Sequence, residues 1–167
     1  MRNKIYSESH RKLYTFIKNV INNSFVKKWI NNNQAVVDDA TTDPLTGLYN
    51  QCGINSYLKE LHPQIGINYA IVLLNLDNYK DIHAQYGIKA AEVALVSTAD
   101  IISKNLRETD LVGRYGEHEF ILILSDINLE YAHSVARRIA ENVQGKSLKV
   151  KTQSILLQAS CGISISE

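Results

Sequence analysis

The sequence predicts an α/β sandwich in which helices cover a mixed sheet, and three observations carry that prediction. Tyr69 to Leu76 reads Y-A-I-V-L-L-N-L, a continuous apolar run of strand length that fits a central strand covered on both faces. Residues 111–115 and 119–124 are short apolar segments around Gly116, the pattern of a hairpin. Ala91, Leu95, Thr98, Ile102 and Leu106, and later Ala132, Val135, Ala136, Ile139 and Val143, recur at helical spacing and mark the faces of two amphipathic helices.

The remaining elements follow in order. Leu13, Ile17, Ile21, Phe25 and Trp29 recur every fourth residue, so residues 11–40 read as a helical lead-in, one helix or two, broken at Asn22-Asn23-Ser24 and weak at Asn31-Asn32-Asn33. Such a face either packs on the domain body or meets a partner or a second copy. Its basic residues, Arg11, Lys12, Lys18, Lys27 and Lys28, fit a solvated face better than a membrane-surface helix. Thr41-Thr42-Asp43-Pro44 ends the lead-in; Thr42 or Asp43 is expected to cap the next helix with Pro44 in its first turn. Residues 47–50 form a turn, 55–61 a helix stopped by His62-Pro63, and 77–87 return toward helix. Residues 155–165 alternate apolar and polar, which predicts one strand with one buried face. The expected division is a lead-in over 1–40 and one domain over 41–167.

Composition bounds the function. A chain of 167 residues with 45% hydrophobic content holds one core plus an extension, and a net charge of +1 gives no field for a nucleic acid polymer. Cys52 and Cys161 lack metal-ligand spacing and read as reduced, partly buried thiols. No run approaches the roughly 18 apolar residues of a membrane span, and the N-terminus lacks a signal-peptide pattern, so the cytoplasm is the expected compartment.

Two stretches carry chemistry. Asp43 to Asn50 reads D-P-L-T-G-L-Y-N, and Arg107 to Phe120 reads R-E-T-D-L-V-G-R-Y-G-E-H-E-F. Together they resemble the GGDEF family of bacterial diguanylate cyclases, from Asp43 to the C-terminus. The resemblance implies a palm-like, mixed, mostly antiparallel sheet flanked by helices. It also implies a further C-terminal helix with phosphate-contacting Lys and Arg, so the fold is expected to be C-terminally shortened here. The opening motif is structural within the family.

The family's catalytic positions depart from its pattern. Where the resemblance implies a magnesium-ligating aspartate, this chain has Asn75; where it implies a guanine-reading asparagine, it has His83, with Glu92 as the second guanine-reading position. The turn should read G-G-[DE]-E-F and reads Gly116-Glu117-His118-Glu119-Phe120. Glu117 adds bulk and negative charge where a glycine admits the phosphates, and His118 replaces a metal-site carboxylate. Asn75, Glu117 and His118 are thus degenerate positions, and only Glu119 keeps its type. Loss of two electrostatic stabilisers costs on the order of 10² each in rate. No catalytic activity, metal or cofactor is expected; His118 with Glu119 is too small a set for a transition metal.

The family's inhibitory site is intact by type. Arg107 and Asp110 form its R-x-x-D, and Arg138 in Ala136-Arg137-Arg138-Ile139 stands at its third contact. The resemblance implies cyclic di-GMP as ligand, with Arg107 on a guanine edge or phosphate and Asp110 accepting from guanine N1 and N2. The plain alternative is an Arg–Asp pair that only closes the loop. Arg114 is expected to orient the hairpin. The reading is therefore an inactive GGDEF domain serving as a cyclic di-GMP receptor. It would regulate a protein partner, or self-associate through the lead-in helix or through bridging ligand. Exopolysaccharide production or motility is the output the resemblance implies. A divergent active cyclase and an interaction domain that binds no nucleotide are the alternatives.

Overall fold

The computed structural model describes residues 40–61, 68–150 and 152–165. The expected lead-in helix, the His62-Pro63 stop and the last two residues lie outside them. The elements are α1 (Gln51–Leu61), β1 (Tyr69–Leu76), α2 (Tyr79–Tyr86), α3 (Ile88–Asn105), β2 (Leu111–Arg114), β3 (Glu119–Ser125), α4 (Leu129–Gln144), β4 (Ser147–Val150), β5 (Gln153–Leu156) and β6 (Ala159–Ile165).

β1 is central, as its apolar run requires. The sheet order is β2-β3-β1-β6, and every adjacent pair is antiparallel. Ala70, Val72, Leu74 and Leu76 of β1 join Phe120, Leu122 and Leu124 of β3 in the main core. Against them pack Ala91, Ala94, Leu95 and Ile102 of α3 and all five predicted face residues of α4, Ala132, Val135, Ala136, Ile139 and Val143. Each fully buried Leu or Ile contributes about 1.5–3 kcal/mol relative to exposure. Thr98, the one predicted polar residue on the α3 face, is buried and donates its hydroxyl to the Ala94 carbonyl at 2.8 Å.

The opposite sheet face is only partly covered, which corrects the expectation for β1. Ile54 of α1 joins Leu111, Ile121 and Ile123 in a second cluster. This helix lies over β2, and Leu73 of β1 is left 41% exposed. Close approach sets the position of α1. A Cβ on Gly113 would stand 2.4 Å from the Ile54 side chain and 2.9 Å from the Tyr49 carbonyl oxygen.

Four local expectations change. Asp43 caps a turn and not a helix: its Oδ2 accepts from the Thr46 N–H at 2.8 Å and the Thr46 hydroxyl at 2.5 Å, and Gly47 takes φ 73°. The helix starts at Gln51, earlier than expected, because Asn50 Oδ1 accepts from the Gly53 N–H at 3.0 Å. Residues 155–165 are not one strand. Gln153–Leu156 pairs with Ser147–Val150 in a separate hairpin, and only Ala159–Ile165 joins the main sheet. Cys52 and Cys161 are both free and exposed, since position 161 lies on the edge strand.

Candidate functional site

The turn after β2 sits at the end of β1 because antiparallel register puts Asn75 opposite Glu119 on one side and Ser160 on the other. The Leu76 N–H donates to the His118 carbonyl at 3.0 Å, which ties the turn to the central strand. Asn75 Nδ2 donates to Asp77 Oδ1 at 2.7 Å, and the Ser160 hydroxyl donates to the same oxygen at 2.7 Å. The His118 ring stacks on Tyr79 with centroids 5.3 Å apart and planes 6° from parallel. His118 Nδ1 is buried without a hydrogen-bond partner, 4.0 Å from Glu117 Oε2. A Cβ on Gly116 would stand 2.4 Å from Glu119 Oε2, so the turn admits no side chain there without moving Glu119. Among the described residues, no group of three or more His, Cys, Asp or Glu is placed to hold a metal.

Arg114 orients the turn. Its Nη1 pairs with Asp43 Oδ1 at 3.2 Å, and its Nη2 and Nε donate to the Glu117 carbonyl at 2.6 and 3.2 Å. The opening motif and the turn are thereby joined through one guanidinium.

The second constellation lies where α3 gives way to β2. The Arg107 N–H donates to Asp110 Oδ2 at 2.9 Å, and the Ser125 N–H donates to Asp110 Oδ1 at 3.3 Å. Asp110 therefore closes its loop through backbone groups, and a carboxylate has further lone pairs beyond these two bonds. Desolvation raises its pKa, against the opposing pull of those N–H groups and of Arg107. The Arg107 guanidinium is exposed and lies over the Tyr131 ring, 4.4 Å from its centroid. Its pKa is raised, first by the neighbouring Tyr131 side chain, with Asp110 and Asp126 adding attraction. Arg138, also exposed, donates from Nη2 to the Asn105 carbonyl at 3.1 Å, a cation on the C-terminal carbonyls of α3. Asn142 Nδ2 bonds Asn105 Oδ1 at 3.0 Å. The structure thus brings Arg107 and Asp110 into one loop and ties Arg138 to the helix end two residues before it. Sequence reasoning missed Tyr131, whose signal was an aromatic residue on the polar side of the α4 pattern.

Fold and site together define a palm-like α/β domain with a glycine turn at the end of its central strand. The model of the family described as diguanylate cyclase, GGDEF domain matches residues 40–167, and the chain belongs to that family. It is 31% identical over 165 residues to diguanylate cyclase A of Treponema denticola, covering 94% of this chain and 44% of that protein. It is 32% identical over 109 residues to the probable diguanylate cyclase DgcT of Escherichia coli K12, covering 63% of this chain and 24% of that protein. Four curated relatives are spanned over only 20–44% of their length. Among solved structures, the diguanylate cyclase SiaD of Pseudomonas aeruginosa, in complex with its activator SiaC, superposes with TM-score 0.75 at 29% identity, covering 96% of this chain and 64% of that one. The coiled coil and GGDEF domain of Caulobacter crescentus DgcB, solved with c-di-GMP, gives TM-score 0.76 at 20% identity, covering 86% of this chain and 78% of that one. No helix among the described residues is long and apolar enough to cross a membrane.

Proposed function

We propose that this chain is a cyclic di-GMP receptor that carries out no cyclase chemistry, with Arg107, Asp110 and Arg138 as its ligand contacts. The observation that carries the reading is the contrast between the two constellations. At the turn, Asn75 donates to Asp77 where the family resemblance implies a metal-ligating carboxylate. The His118 ring is packed on Tyr79 where it implies another. A neutral amide, an already bonded carboxylate and a stacked imidazole are a poor donor set for magnesium beside a triphosphate. At the α3–β2 loop, by contrast, Asp110 fixes the backbone and the Arg107 fork stays exposed, which suits recognition of a guanine edge or a phosphate. The receptor then acts on a protein partner or on a second copy, with the N-terminal segment or a bridging ligand as the means.

Calorimetric titration with cyclic di-GMP tests the reading. Saturable binding at micromolar ligand is expected, lost in Arg107→Ala; absence of binding, or binding indifferent to that substitution, overturns it. Incubation with GTP and Mg²⁺ or Mn²⁺ is expected to give no cyclic di-GMP. Clear turnover that disappears in Glu119→Ala would return the chain to the active cyclases, the activity its curated relatives are named for.

A further inference from the structure

We propose that Tyr131 is a positioning residue of the ligand site: its ring supports one face of the Arg107 guanidinium and leaves the other face for a purine base. This rests on the receptor reading above and names a residue that the R-x-x-D pattern does not contain.

Both halves of the stack are built by backbone contacts. On one side, Asp110 Oδ2 fixes the Arg107 N–H at 2.9 Å, so the arginine leaves the loop from a set point. On the other, Asn128 caps α4 and its Oδ1 accepts from the Tyr131 N–H at 2.8 Å. Buried Ile127 anchors the approach to that cap. The guanidinium carbon then stands 4.4 Å from the Tyr131 ring centroid, within cation–π range. Tyr131 remains 39% exposed, so the pair sits at the surface, where a ligand reaches it.

A free arginine at such a site must lose its rotamer freedom when the ligand arrives. A ring that already holds the guanidinium lowers that cost. It also holds the guanidinium flat on the ring, so one base can stack on the open face while the in-plane N–H fork bonds a second base edge or a phosphate. The class of ligand favoured is a planar purine carrying acceptors on its edge, with phosphate nearby. Ordering one long free side chain on binding, the cost the ring removes, corresponds to about threefold to tenfold in affinity.

The experiment combines ligand titration with a ligand-free readout on the full chain. Cyclic di-GMP is titrated by calorimetry into the unaltered chain, Arg107→Ala, Tyr131→Ala and Tyr131→Phe. Binding is expected to vanish in Arg107→Ala, weaken about threefold to tenfold in Tyr131→Ala, where the arginine must be ordered on binding, and stay within about twofold in Tyr131→Phe, which keeps the ring. In the free protein, NMR is expected to show the Arg107 Hδ protons shifted upfield by the ring current. That shift should persist in Tyr131→Phe and disappear in Tyr131→Ala, an effect that a loss of general stability does not mimic. If Arg107→Ala abolishes binding while Tyr131→Ala binds like the unaltered chain, the inference about Tyr131 fails and the receptor reading stands. If the Arg107 shift is absent from the free unaltered chain, the stack does not exist. If the unaltered chain does not bind at all, the receptor reading fails and this inference with it.

Discussion

Burial raises the Asp110 pKa above its ordinary 3.8, more than its two N–H donors and Arg107 lower it. The folded chain therefore binds this proton more tightly than the unfolded chain. The contribution is present in full below the ordinary value and is lost as pH rises through the raised one. Urea midpoints measured upward from about pH 4 are expected to carry a falling component that Asp110→Asn removes. Under the proposed receptor reading, ligand binding runs the other way, because only the ionised carboxylate accepts freely from guanine N1 and N2. Affinity for cyclic di-GMP is expected to fall as pH drops through the same window, and a titration across pH measures it. At this scale the sequence supplied Arg107, Asp110 and Arg138 by type and spacing. It did not supply what each holds. Asp110 serves backbone N–H groups, Arg138 serves the Asn105 carbonyl, and Tyr131 supports Arg107. The Arg138 and Tyr131 contacts come from α4 packing beside the end of α3, a tertiary fact that no local spacing encodes.

Two glycines decide how elements join. Gly113 lets Ile54 and the Tyr49 carbonyl press on β2, so Gly113→Ala is expected to cost about 1–3 kcal/mol in urea denaturation, as overpacking does. Gly87 separates α2 from α3 at φ 85° and ψ 173°, a region open almost only to glycine. Gly87→Ala is expected to cost about 1–3 kcal/mol although a Cβ there meets nothing within 4 Å, so strain and not crowding is the cause. Long periodic helices and the central strand were legible because one face of each is buried along its whole length. The split of residues 153–165 was not. Gln158 keeps the alternation, yet its N–H donates to Asn78 Oδ1 at 2.9 Å and its carbonyl accepts from the Asp77 N–H at 2.8 Å, which locks a turn between β5 and β6.

For the whole molecule, the α/β sandwich followed from order and periodicity, while the all-antiparallel pairing and the bare patch at Leu73 needed three-dimensional placement. Cyclic di-GMP stacked between two copies is expected to double the mass seen by light scattering, since Arg107 and Arg138 are both at the surface. One unchanged mass would leave binding intact and remove bridging. The Asp43–Arg114 pair has a consequence beyond the turn it orients. Asn50 Nδ2 holds the Ala40 carbonyl at 2.9 Å, the Asn50 N–H holds Thr41 at 2.8 Å, and Arg114 passes the connection from Asp43 to the Glu117 carbonyl. The backbone at residues 40–43 is therefore tied to the hairpin through side chains as well as through the chain itself. Arg114→Ala is expected to cost about 1–3 kcal/mol. It would also leave the opening turn joined to β2 by backbone alone, through the Arg114 N–H on the Tyr49 carbonyl at 2.7 Å, and urea denaturation measures what the side chain adds.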